Sequence, residues 1–239
     1  MLQACPNGAR TRAACAHLPV TPAELADAAA GAVAAGARDV HLHPKDADGR
    51  DTLDAEAVAA AVTAVRAAVP GIPVGVTTGA WATPDPHARA AQVASWTVLP
   101  DHASVNWHEE GAEAVAAALL DRGIGVEAGV YSGTPAARRL LAWPHAHRVL
   151  RVLAEVTETS VPAALTAADM VLTDLAPLTA PVLLHAEDAA AWPVLRLAAA
   201  RGLDTRIGLE DTLHLPDGAP ARTNADLVRA ARDILWDRA

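Results

Sequence analysis

One alternation recurs along the whole chain and restricts its fold more than any other feature. Short β-branched runs are each followed by a longer Ala/Leu-rich stretch with scattered charges. The runs are Leu2–Pro6, Asp39–His43, Pro73–Thr78, Ala103–Trp107, Ile124–Val130, His147–Leu153, Pro181–Ala186 and Asp204–Glu210. The intervening stretches read as helices over Pro22–Ala35, Asp54–Val69, Pro86–Ser95, Gly111–Asp121, Pro135–Ala142, Val161–Ala168, Ala189–Ala200 and Asn224–Trp236. Thr21, Pro22 and Glu24 form a helix-start signal, and Gly36, Gly71, Gly123 and Gly202 stop helices just before the next strand. Eight strand–helix units within 239 residues predict a single (β/α)8 TIM barrel, read as one domain over residues 1–239. A doubly wound open sheet has the same periodicity, but the glycine-rich nucleotide motifs that would favour it are missing.

Composition narrows the function. Hydrophobic residues make up 52% of the chain, Phe is absent and Tyr occurs once, so the core must be aliphatic, with six Trp as its large pieces. The net charge of −9 lacks the basic footprint of a nucleic-acid or anionic-membrane binder. No apolar run is long enough to span a membrane, and no signal peptide is evident. Cys5 and Cys15 are expected to be reduced thiols in a soluble cytoplasmic protein, with Cys5 a small buried filler.

The chemistry starts at "DVHLHPKDADGRDT", residues Asp39–Thr52. Side chains two apart on a strand face the same way, so His41 and His43 point together toward the barrel mouth, where active sites of this fold sit. In a closed barrel the second and eighth strands flank the first, so Glu210 reaches the same place. Two imidazoles and a carboxylate form a catalytic Zn2+ set, also used by Fe(II). Without a metal, the histidines are a hydrogen-bonded polar pair and Glu210 a rim acid salt-bridged to Arg206.

The surrounding blocks carry a resemblance. "GARTRAACAHLPVTPAELA", "AGARDVHLHPKDADGRDTLD" and "RGLDTRIGLEDTLHLPDGAPARTNADLV", with "VTTG" and "GIGVE" between them, resemble the β-keto acid cleavage enzyme family, which includes 3-keto-5-aminohexanoate cleavage enzymes. The resemblance spans about Pro6 to Leu227. It implies a Zn2+-binding TIM barrel that condenses a β-keto acid with acetyl-CoA and cleaves the product to acetoacetate and a new acyl-CoA. It implies His41, His43 and Glu210 as metal ligands, and Arg206, Asp211 and Thr78 as catalytic residues. Glu127 matches a family acid after the fifth strand. Where the family has a histidine-rich motif with arginine, this chain has Lys45, and a second family acid is replaced by Gly129. The expected partners are a small β-keto acid, a CoA ester and further copies of the chain, as a dimer or tetramer.

The reaction needs a base, and Asp211 is the candidate, with Arg206 bonded to it or stabilising an oxyanion. Asn7, Arg10, Thr77, Asn106 and Glu127 are candidate substrate contacts, and His108 and His185 lie near strand ends. Structural roles are the alternatives: an ion pair for Arg206 and Asp211 and, equally well, strand propensity for Thr77 and Thr78 and a surface loop for Arg10. Because Arg206, Arg10, Lys45 and the metal fall at or beyond strand ends, a positive mouth on a negative molecule is expected. An amidohydrolase-type hydrolase also uses a histidine pair at a barrel strand end, but on the first strand, with later histidines. A non-catalytic metal-binding barrel is the third reading.

Overall fold

The structure, a computed structural model, describes residues 1–236. Eight strands, β1 (Leu2–Ala4), β2 (Asp39–Leu42), β3 (Val74–Thr77), β4 (His102–Asn106), β5 (Gly125–Tyr131), β6 (Arg151–Val156), β7 (Val182–Ala186) and β8 (Thr205–Ile207), alternate with eight helices. The helices are α1 (Pro22–Ala35), α2 (Ala55–Ala68), α3 (Pro86–Ser95), α4 (Ala112–Asp121), α5 (Ala136–Ala142), α6 (Val161–Leu175), α7 (Ala191–Arg201) and α8 (Asn224–Trp236). Adjacent strands pair in parallel in the order β7-β6-β5-β4-β3-β2-β1-β8. The ring closes where Leu184 N–H donates to the Asp204 carbonyl at 2.9 Å and Asp204 N–H to the Val182 carbonyl at 3.2 Å. Closure makes this a (β/α)8 barrel and removes the open-sheet alternative. Among the described residues, no helix is long and apolar enough to cross a membrane.

The expected helix starts are present. Thr21 accepts from Glu24 N–H while the Glu24 carboxylate accepts from Thr21 N–H, the reciprocal capping box that opens α1. Several elements differ from expectation in their bounds. Residues Ala146–Arg148 form a short 3-10 turn, so β6 begins at Arg151 and runs on to Val156. Helix α6 continues to Leu175, because Val171 and Leu175 keep its buried stripe going.

Strand side chains alternate strictly. Val40, Leu42, Val74, Val76, Ala103, Val105, Val126, Ala128, Val152 and Ala154 belong to one apolar cluster with the helices, so the hydrophobic core lies between sheet and helix layer. The alternate residues fill the lumen, and most are polar: Gln3, Asp39, His41, Thr77, His102, Ser104, Glu127, Arg151, Glu155, His185 and Arg206, all buried.

The lower lumen is a charge layer. Arg151 donates to Glu127 at 2.5 Å and to Asp39 at 2.7 Å. Gln3 donates to the same two carboxylates at 2.9 and 3.0 Å. His102 Nε2 lies 2.9 Å from Asp39, and its Nδ1 lies 3.5 Å from Glu127. Burial disfavours a charge on His102, but Glu127 and Asp39 outweigh it and lift its pKa to about 9. Two acids thus face two cations and the layer is neutral. Gly75 makes room for it: a Cβ there would lie 2.0 Å from His102 Cε1.

A methyl at position 75 must therefore displace the imidazole from its carboxylates. Gly75→Ala is expected to cost about 1–3 kcal/mol, a fall in Tm of roughly 2–10 °C. Gly31→Ala, inside α1 with only an ordinary 3.5 Å contact at its Cβ, should hold or raise Tm. Calorimetry on both variants checks this; an unchanged Tm for Gly75→Ala contradicts the packing.

Candidate active site

Three strands position the site. β1 lies between β2 and β8, with Gln3 opposite both Asp39 and Arg206. β1 is short and is followed by Gly8 (φ +56°), where a Cβ would lie 2.4 Å from Glu210 Cγ. The missing side chain lets Glu210 cross over β1 toward β2. β8 itself ends at Ile207. Glu210 and Asp211 sit in a tight turn in which Asp211 N–H donates to the Gly208 carbonyl at 2.9 Å. They are not adjacent residues of a strand, and both face Arg206, which donates from Nη2 to Glu210 at 2.8 Å and from Nε to Asp211 at 2.9 Å.

His41, His43 and Glu210 converge, each offering an atom within 4.8 Å of the others. Each imidazole has an acid at its Nδ1. His43 Nδ1 lies 2.8 Å from Asp51, and His41 Nδ1 lies 3.6 Å from Glu127. With the proton on Nδ1, the Nε2 lone pair is left free; His43 Nε2 lies 3.7 Å from Glu210. Burial lowers the His41 pKa to about 3, which keeps the ring neutral. Glu210 Oε2 is buried without any hydrogen-bond partner. A buried orphan carboxylate oxygen beside imidazole nitrogens is satisfied by a cation, and the donor set suits Zn2+.

A second group, His41, His102 and Glu127, also brings potential ligand atoms together. His102 is held protonated by its two carboxylates, so it has no lone pair to offer, and Arg151 adds a positive charge beside it. The first group is the better cation site.

The histidines are tightly held from behind. Asn7 donates to the His43 carbonyl at 2.8 Å and accepts from its N–H at 3.0 Å. Asp51, which meets His43, also accepts from Trp81 Nε1 at 2.6 Å and pairs with Lys45. Burial works against its charge, yet His43 and Lys45 hold its pKa at about 2. Trp81 stacks on the His43 ring, centroids 5.9 Å apart.

A cavity of about 350 Å³ opens above these groups, lined by His41, His43, Glu210, Arg206, Arg10, Thr77, Asn106 and others. Several expected residues lie elsewhere. Asn7 spends its amide on His43. Thr78 turns away and donates to the Ser104 carbonyl at 2.6 Å, so Thr77 is the member of the pair that faces the cavity. Glu127 lies beneath His41 in the charge layer. Asp211 is fully buried behind Arg206, whose charge outweighs burial and lowers its pKa. His108 packs on Tyr131, ring centroids 4.3 Å apart. The Lys45 side chain is buried, donating to the Gly8 and Arg10 carbonyls at 2.6 and 3.2 Å. Arg10 does reach the cavity, donating to the Glu210 carbonyl at 3.0 Å and to Asp188 at 2.6 Å.

The mouth is not positive in its side chains. The cavity lining has two cations, Arg10 and Arg206, and four acids, Glu155, Glu187, Asp188 and Glu210. Burial raises Glu155 to about 8, and burial together with Asp211 raises Glu187 to about 7, so protons offset part of this charge. Both acids escaped sequence reasoning. Glu155 is legible once β6 is taken to run from Arg151 to Val156, because alternation then turns it inward.

The family model for the beta-keto acid cleavage enzyme matches residues 1–238. Among solved structures, the ternary complex of ObcA with a C4-CoA adduct and oxalate has a TM-score of 0.70 at 18% identity. It covers 93% of this chain, and this chain spans 64% of it. The binary complex of ObcA with oxaloacetate has a TM-score of 0.69 at 19% identity over the same shares. The 3-dehydroquinate dehydratase of Aquifex aeolicus VF5 has a TM-score of 0.63 at 13% identity, covering 100% of this chain and 99% of its own. At these identities the solved structures share the barrel. The family match covers nearly all of the sequence, including the histidine pair at the end of β2, Arg206 on β8 and the Glu210–Asp211 turn after it, and on it the chain belongs to the beta-keto acid cleavage enzyme family.

Proposed function

We propose that this protein cleaves a β-keto acid by exchange with acetyl-CoA, releasing acetoacetate and a new acyl-CoA. The observation that carries the reading is the convergence of His41, His43 and the orphaned Glu210 oxygen on a cavity that also holds Arg206. The ObcA complexes, with oxaloacetate and with a CoA adduct, support this class of ligand.

His41, His43 and Glu210 would hold a divalent ion, best Zn2+, which when bound supplies a Lewis acid for the keto oxygen and carboxylate. The chain's own residues do the rest. Arg206 is fixed by Glu210 and Asp211, with its charge at the cavity wall where negative charge develops. Arg10, reaching over the Glu210 carbonyl, is placed to meet a substrate carboxylate or a CoA phosphate. Thr77 and Asn106 offer a hydroxyl and an amide from β3 and β4. Asp211, the candidate base, pairs with Arg206 from behind at 2.9 Å.

Incubating the purified protein with acetyl-CoA and a panel of β-keto acids, then reading CoA esters by mass spectrometry, tests the activity. At least one keto acid should give acetoacetate and its acyl-CoA in equal amounts; hydrolysis to free acid without a new thioester would contradict the proposal. Elemental analysis should find about one zinc per chain in the wild type. His41→Ala and Glu210→Gln should lose most of it, since two ligands do not hold a tight site, and wild-type content in both variants would remove the metal from this account.

A further inference from the structure

We propose that Lys45 is a positioning residue of the cation site, whose ammonium sets the spacing of His43 and Glu210 by tying the loop after β1 to Asp51. This rests on the ligand set proposed above.

The two ligands come from strands that do not touch. β1 runs between β2 and β8, so no ladder hydrogen bond fixes His43 against Glu210. Their spacing depends on the loops above. Beyond β2 the chain turns back on itself, and Lys45 and Asp51 face each other as an antiparallel bridge. The Lys45 side chain is 1% exposed and that of Asp51 4%. The ammonium has three donors and meets three acceptors: Asp51, the Gly8 carbonyl at 2.6 Å and the Arg10 carbonyl at 3.2 Å. It does not line the cavity, so it holds other groups in place rather than meeting substrate.

One route from this nitrogen leads to His43. Lys45 binds one Asp51 oxygen; the other lies 2.8 Å from His43 Nδ1 and accepts from Trp81 Nε1 at 2.6 Å. Trp81 lies nearly parallel to the imidazole, with 13° between the planes. Gly79 leaves room for the indole, since a Cβ there would lie 2.3 Å from it. The ring is therefore gripped at Nδ1 and across one face.

The other route leads to Glu210. Gly8 lies directly against the Glu210 side chain, and Arg10 Nε donates to the Glu210 carbonyl at 3.0 Å. A shift of the Gly8 or Arg10 carbonyl away from Lys45 shifts the seat of Glu210. The two routes meet at one nitrogen and bridge the width of β1. A buried ion pair adds little stability over an apolar pair of the same size, whereas losing one member leaves the other uncompensated. Groups behind a ligand histidine, by contrast, govern how well it binds a metal.

That contrast supplies the test. Zinc affinity by chelator competition and Tm are measured in wild type, Asp51→Asn and the double variant Lys45→Met/Asp51→Asn. Asp51→Asn leaves the ammonium without its carboxylate and should lower Tm. Adding Lys45→Met removes that uncompensated charge, so Tm should hold or rise. Zinc affinity should nevertheless fall by a further 10-fold or so, because the tie to the β1 loop is gone. A purely structural Lys45 makes the two readouts move together, and a double variant that binds zinc as tightly as Asp51→Asn overturns the proposal. If the wild type binds no zinc, the metal reading fails by itself. Nitrogen-15 NMR of the histidine-labelled, metal-free protein then decides for Lys45. The His43 proton should stay on Nδ1 in Asp51→Asn and exchange between both ring nitrogens in the double variant; the same tautomer in both overturns the assignment.

Discussion

Arg151 holds two carboxylates at once, Asp39 and Glu127, in the lumen of the barrel. Buried charges survive only when paired, and removing one partner leaves the others uncompensated. His102 supplies the second cation, and Gln3 ties both acids to β1. The layer fixes β1, β2, β4, β5 and β6 relative to one another through the lumen rather than through the apolar shell outside. It also extends upward, because the second Glu127 oxygen faces His41 Nδ1. The charged floor and the His41 ring are thus parts of one arrangement.

The two sides of the cavity have different jobs. On the β1–β2–β8 side, side chains are locked: Asn7 on the His43 backbone, Asp51 on its ring, Gly8 beneath Glu210, Arg206 between two acids. Such rigidity suits a metal and a fixed positive charge. On the β5–β6–β7 side, Glu155 and His185 have longer contacts, and Glu187 shares the lining. There burial raises the Glu155 and Glu187 carboxyls above the usual carboxylate range.

Much of this was legible in the sequence. The eight-fold alternation gave the barrel, and the spacing of His41, His43 and Glu210 gave their convergence, because period two and strand adjacency are local rules. What failed depends on contacts that no local rule encodes. The phase of β3 decided that Thr77 rather than Thr78 faces inward. Four residues of 3-10 turn and loop before Arg151 shifted β6 and hid Glu155. Lys45 looked like a free cation at the mouth, but its ammonium is consumed by Asp51 and two carbonyls contributed by the β1 loop. Trp81 and Asp51 meet His43 from separate loops, and their partnership exists only in three dimensions.

The central claim is that the His41 and His43 imidazoles and the Glu210 carboxylate hold one ion over the charged floor. X-ray absorption at the zinc edge of the loaded protein tests it directly. The account predicts two imidazole nitrogens and oxygen neighbours, all at about 2.0–2.2 Å. A sulfur shell at about 2.3 Å, or a first shell without imidazole, would contradict it.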